Sequence, residues 1–333
     1  VVVESGANVP TINNSAGVIR ANYFGETGNA VAIADLSGTV TTVTNSGTIS
    51  AIIVPTDDDL SDDIPPPPVT GDAIAIDLSA SGSNVLVEQV APTVFTDDDA
   101  VDDVVAGAPS ITGEIRLGTG SDTVNLLAGT ISGDISFGAG ADIFNINNGA
   151  TYTGSLLDSD GALTLNVTNG TLNYSGGALT ITSATFGANS AFNAFLSPVV
   201  SETTNITATG TVTFLPGATV TPVIPSGLPT FGSQVFLTAN GGMFGAGNVV
   251  GPVAAASTSF LYDVSIGATS PIIEGAANSL EATYQLRTAA QLGLSANQTV
   301  AYNPILDALR LDPAASAAMA AITTEYEFFD AYE

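Results

Sequence analysis

The chain has 333 residues, no His, Cys, Lys or Trp, and a net charge of −28, with Arg20, Arg116, Arg287 and Arg310 as its only basic side chains. That composition excludes Ser-His-Asp triads, Cys nucleophiles, Schiff-base lysines and ordinary His/Cys zinc or iron centres. It leaves no basic stripe to neutralise phosphates, which excludes nucleic acid as a partner, and it repels an anionic bilayer surface.

Only 11% of residues are charged and 45% are hydrophobic, alongside 35 glycines, a balance suited to a folded chain rather than a disordered acidic one. No apolar stretch reaches the 18 residues a membrane-spanning helix needs. Val1 does not open a signal-peptide pattern, so the chain reads as a mature or excised segment. The lack of cysteine is compatible with export.

In chain order, residues 1–110 read as loosely repeated β-solenoid coils. Gly28-Asn-Ala-Val-Ala-Ile matches Gly71-Asp-Ala-Ile-Ala-Ile, 43 residues on, and Asn14-Ser-Ala-Gly-Val-Ile shares a turn-then-strand pattern with Asn45-Ser-Gly-Thr-Ile. Two acidic segments interrupt these coils. Thr56-Asp-Asp-Asp-Leu-Ser-Asp-Asp-Ile and Thr96-Asp-Asp-Asp-Ala-Val-Asp-Asp-Val stand 40 residues apart, the first followed by the stiff run Pro65–Pro68. They are expected to project as loops from one side of neighbouring coils. Their ten carboxylates, Asp57, Asp58, Asp59, Asp62, Asp63, Asp97, Asp98, Asp99, Asp102 and Asp103, form a hard, flexible oxygen set that suits Ca²⁺. The other reading is a solvated loop that adds only solubility.

Residues 111–177 repeat regularly. Gly113, Gly133 and Gly154, Asn125, Asn145 and Asn166, and Gly129, Gly149 and Gly170 each step by 20 or 21. Between them, runs such as Thr123-Val-Asn-Leu126 and Ile143-Phe-Asn-Ile146 alternate in the manner of half-buried strands. Some twenty residues at about 3.3 Å each make one coil of two or three short strands. Stacked coils bury Val, Ile, Leu and Phe, and the recurring Asn is expected to form an internal ladder at a turn. Asp122 and Asp142 end Gly-x-Gly-x-Asp turns similar to the calcium-binding nonapeptide of RTX proteins. A 20-residue step separates the carboxylates that a nine-residue step would bring round one ion, so a turn and stacking role is expected for both.

Residues 178–290 remain β-rich but irregular, punctuated by Pro216, Pro222, Pro225 and Pro229, and read as the atypical unit that closes a solenoid. Residues 291–333 read as helical. Ser295 caps one helix to about Arg310, Asp312-Pro313 opens a second to about Ile322, and Thr323 or Thr324 caps a third. The fold expected is all-β, a right-handed parallel β-helix over most of residues 1–275 with a short α-helical C-terminal tail.

The ordered series of Gly118–Gly176 repeats, Val235-Phe-Leu-Thr-Ala-Asn-Gly-Gly242 with Ser259-Phe-Leu-Tyr-Asp-Val264, and the tail Ala282–Leu294 ending in Phe328-Phe-Asp-Ala-Tyr332 resembles the passenger domain of bacterial autotransporters. The resemblance implies a closing region, a helical linker and a membrane barrel following Glu333. It also implies the outer-membrane surface or exterior of a Gram-negative bacterium. The function expected is a non-enzymatic structural or adhesive surface protein that contacts surfaces or neighbouring copies of itself. The alternative is a carbohydrate-active β-helix enzyme of lyase or glycosidase type. A flat exterior of Thr, Ser and Asn favours the first; aromatics beside paired acids in a groove favour the second.

Overall fold

A computed structural model describes residues 1–55, 69–93, 107–196, 205–224, 228–229, 231–253 and 259–332. Contacts divide the chain into two compact units, Val1–Leu172 and Asn173–Glu333.

The first unit is a parallel β-helix whose coils contribute one strand to each of three sheets. Sheet I stacks Val2–Val3, Ala30–Asp35, Ala73–Asp77, Glu114–Arg116, Ile135–Ser136 and Leu156–Leu157. Sheet II stacks Thr11–Asn14, Thr42–Asn45, Leu86–Gln89, Thr123–Leu126, Ile143–Ile146 and Thr164–Val167. Sheet III includes Val18–Phe24, Thr48–Val54, Ser110–Thr112, Thr130–Ser132 and Ala150–Gly154. All pairings in it are parallel, and Gly28–Ile33 lies over Gly71–Ile76 as the sequence match implies.

Alternation places one aliphatic or aromatic side chain of each short strand inside the coil. Val43, Val87, Val124, Phe144 and Leu165 form one buried column, and Ile49, Ile111, Ile131 and Tyr152 form another. Each such side chain contributes about 1.5–3 kcal/mol when fully buried. Phe144 packs edge-on against Tyr152, with ring centres 5.1 Å apart. The corners demand glycine: a Cβ on Gly133, at φ +141°, would sit 2.3 Å from the Gly113 carbonyl oxygen, and one on Gly154 would meet Gly133 at the same distance. The three glycines are therefore stacked at equivalent corners, as the 20/21 step predicts.

The asparagine ladder differs in place from the expectation. Asn145 Nδ2 donates to Asn125 Oδ1 at 2.8 Å and Asn166 Nδ2 to Asn145 Oδ1 at 2.9 Å, so the ladder exists. It runs along the outer face of sheet II rather than inside a turn, because Val124 and Leu126 flank Asn125 and take the inward positions. The internal ladder is instead built by Asn14, Asn45 and Gln89, one per early coil.

The second unit begins with parallel strands: Ala178–Ile181, Asn205–Ala208 and Phe231–Ala239 in one sheet, Ser183–Phe186, Thr211–Phe214 and Gly242–Phe244 in another, and Ala191–Phe195 beside Thr219–Val223. Phe186 stacks on Phe192 and Phe214 at 5.2 and 5.0 Å in its core. The parallel pattern does not continue to 275. Phe231–Ala239 pairs antiparallel with Asn278–Leu286, which pairs antiparallel with Tyr262–Ala268. Two long strands thus cover an edge that would otherwise offer unpaired backbone.

Three helices follow, none among the described residues long and apolar enough to cross a membrane. α1 (Ala296–Leu309) starts from a Ser295–Gln298 capping box. α2 (Pro313–Ala320) starts where Asp312 accepts from the N–H groups of Ala314 and Ala315. α3 (Glu325–Tyr332) starts where Thr324 Oγ1 accepts from the Glu327 N–H. The tail is anchored by the Tyr302 hydroxyl, which donates to the Arg287 carbonyl at 2.8 Å, and by Phe328, fully buried against Phe260.

Candidate contact surface

The ten aspartates expected to hold calcium (Asp57, Asp58, Asp59, Asp62, Asp63, Asp97, Asp98, Asp99, Asp102 and Asp103) lie outside the described residues. Their anchors are described. The first acidic segment connects sheet III (ending at Val54) to sheet I (resuming at Ala73), and the second connects sheet II (ending at Gln89) to sheet III (resuming at Ser110). The two segments therefore depart from different corners, one at each side of sheet III, and not from a single corner as the repeat of their sequences suggests. Among the described residues, no group of three or more acidic side chains is placed to hold a metal ion.

Between those corners, sheet III presents an array that the sequence reading missed. Thr48, Ser110, Thr130 and Thr151 stand in register in one outward row, and Ser50, Thr112, Ser132 and Thr153 in the next, where Ser50 is buried and the other three are accessible. Parallel strands place such neighbours about 4.8 Å apart across the sheet and about 6.6 Å apart along each strand. Ser110 Oγ lies 3.5 Å from Thr48 Oγ1. No charged side chain interrupts either row over these four coils, although the chain carries 32 acidic residues. The Arg20 guanidinium ends the second row, donating to Ser50 Oγ at 3.3 Å. The outer face of sheet II is amide-rich, with Glu88, Asn125, Asn145 and Asn166 in one row. The sequence signal for the sheet III array is a hydroxyl residue on either side of a buried one, recurring at 48–50, 110–112, 130–132 and 151–153.

Sheet I carries the charge. Arg116 Nη2 donates to Glu114 at 2.6 Å and to Asp72 at 2.8 Å. These two bonds, Glu114 first, push the guanidinium pKa further above its ordinary range. A lyase needs a cation free to neutralise a uronate, and the one basic side chain at the regular coils is already matched by two carboxylates.

Asp122 and Asp142 lie inside the first unit, where the corner feeds sheet II. Both are fully buried. Asp122 Oδ1 accepts the Val85 N–H at 2.8 Å, and Asp142 Oδ1 accepts the Asp122 N–H at 2.7 Å. These are stacking bonds between coils, in keeping with the turn role expected from their spacing. Searches with the chain found no matching protein-family model, no matching curated protein and no matching solved structure.

Proposed function

We propose that this chain is a non-enzymatic cell-surface protein of autotransporter-passenger type, whose solenoid holds a neutral Ser/Thr face out for contact with surfaces or with other copies of itself. The observation that carries the reading is the in-register hydroxyl array of sheet III, free of charge in a strongly acidic chain. Like charges on facing molecules repel, so contact between acidic partners is least costly where neither brings a carboxylate. Hydroxyls act as donor and acceptor at once, and each exchange with a partner hydroxyl contributes only about 0.5–1.5 kcal/mol net. A rigid face that offers many such groups without further ordering makes their sum useful. The order of coils, antiparallel closing strands and capped helices supports the passenger reading and, with it, a Gram-negative outer-membrane location. Calcium held by the ten aspartates belongs to the same reading.

The test places charge on the face. Thr130→Glu with Thr151→Glu is expected to reduce attachment to neutral polysaccharide-coated surfaces and self-association at least tenfold, while Thr164→Glu on sheet II leaves both near wild type. Equal behaviour of the two variants, with unchanged circular dichroism, contradicts the assignment.

A further inference from the structure

The corner that feeds sheet II repeats one device. A buried backbone N–H is accepted by an aspartate in several coils: Val40 by Asp35, Val85 by Asp122, Asp122 by Asp142, and Leu163 by Asp158. Asp35 has further donors in Ser37 and Gly38. Burial pushes the Asp35 carboxyl up, but the bonds from Ser37, Val40 and Gly38 outweigh it and hold the group below its ordinary range.

Asp122 and Asp142 are different. They occupy successive coils at the position just before the registered pair Thr123 and Ile143, between Val85 on one side and Leu163 on the other. Each uses Oδ1 for the neighbouring coil's N–H, and each leaves Oδ2 buried with no hydrogen-bond partner. Backbone bonds from Val85 and Gly118 to Asp122, and from Asp122 to Asp142, offset only part of the cost of burying an ionised carboxylate there. The charged groups that act on Asp142 are Asp122, Asp158 and Asp160, all acidic. Neither flanking residue of the column can compensate, since Val85 and Leu163 are apolar.

We propose that Asp122 and Asp142 are a proton-holding pair inside the solenoid: the free oxygen of each takes up a proton, and the coil stack is tightest when the pair is protonated and loosens when both carboxyls are ionised. Burial is the first cause in both groups, raising Asp122 to about 6 and Asp142 to about 7. An unfolded aspartate titrates near 3.9, so the folded state binds more protons from about pH 4 to about pH 7. Stability conferred by the protonated pair is then full below that window and is lost as pH rises through it, by at most about tenfold in the unfolding constant per pH unit for each carboxyl. Ordinary surface carboxylates have finished titrating by the upper half of the window; Asp158, which burial also raises and which acts on Asp142, stays unchanged in the variant below.

Thermal unfolding at pH 5.5 and pH 8.0 tests this on the whole chain. The wild-type midpoint is expected to fall between the two, and the double variant Asp122→Asn, Asp142→Asn, which keeps the accepting oxygen and removes the charge, is expected to show a much smaller fall, what remains coming from Asp158. The same fall in the double variant overturns the proposal, as does a wild-type midpoint that does not move. A carboxyl ¹³C titration of the wild type by NMR gives a second reading that requires no variant. Two aspartates titrating above pH 5.5 support the pair, and all described aspartates titrating below 4.5 overturn it.

Discussion

Asn45 donates its side-chain amide to Gln89 Oε1 at 3.0 Å while its own oxygen accepts from Asn14 at 2.8 Å, so one amide ties three successive coils together inside the first unit. The same Nδ2 also reaches the carbonyls of Gly47 and Ser110. Asn45→Ala leaves several buried groups unpaired, each costing about 1–3 kcal/mol, and a total loss of about 2–4 kcal/mol is expected. Asn145→Ala removes a half-buried link on the outer face of sheet II, where water replaces the partner, and is expected to cost about 1 kcal/mol or less. Urea unfolding of the two variants checks the order; equal losses contradict the placement of the internal ladder.

The glycines divide in the same way. Gly133→Ala forces a methyl to 2.3 Å from the Gly113 carbonyl at φ +141°, so two coils must part, and a loss above about 3 kcal/mol is expected. Gly149 has φ +77° and open space where its Cβ would stand. Gly149→Ala therefore meets only the left-handed backbone penalty of about 1–2 kcal/mol. Denaturation midpoints measured side by side separate the two.

In the second unit, Phe328, in the last helix of the tail, is fully buried against Phe260. Phe328→Ala is expected to cost about 3–5 kcal/mol locally. Limited proteolysis reads this as early cleavage beyond residue 322, with the coils of the first unit intact.

Calcium is tested by melting. Binding only to the folded chain, at about 1 mM calcium and a Kd near 10⁻⁴ M, contributes about 1.4 kcal/mol per site. The midpoint is expected to rise with calcium, fall back with chelator, and not respond when all ten loop aspartates are changed to Asn. An unchanged wild-type midpoint contradicts calcium binding.

How far the sequence alone reached follows from what repetition records. The 20/21 step exposes Gly113, Gly133 and Gly154 because no other residue fits a corner pressed against the one below. The capping residues Ser295 and Asp312 announce α1 and α2 because a helix start needs a side-chain acceptor. The hydroxyl face stayed hidden because Ser and Thr interchange freely on an outer face, so no identity repeats, and because early coils step by 31 and 44 residues between Asn14, Asn45 and Gln89. The inward turn of Asp122 and Asp142 was also out of reach. A Gly-x-Gly-x-Asp pattern announces a turn and stacking role, but only the register shows its aspartate one step before a strand whose next inward residues are Val124 and Phe144.

The central claim is that sheet III holds its hydroxyl rows in register from coil to coil, and the cysteine-free chain allows a clean measurement. Ser110 and Thr130 are direct partners, whereas Ser110 and Ser132 are diagonal. Registered neighbours lie about 4.8 Å apart, within disulfide reach, and diagonal ones about 8 Å apart, beyond it. Ser110→Cys with Thr130→Cys is expected to close an intramolecular disulfide under mild oxidation, and Ser110→Cys with Ser132→Cys to stay reduced. Comparable crosslinking of the two pairs, or of neither, would contradict the registered face.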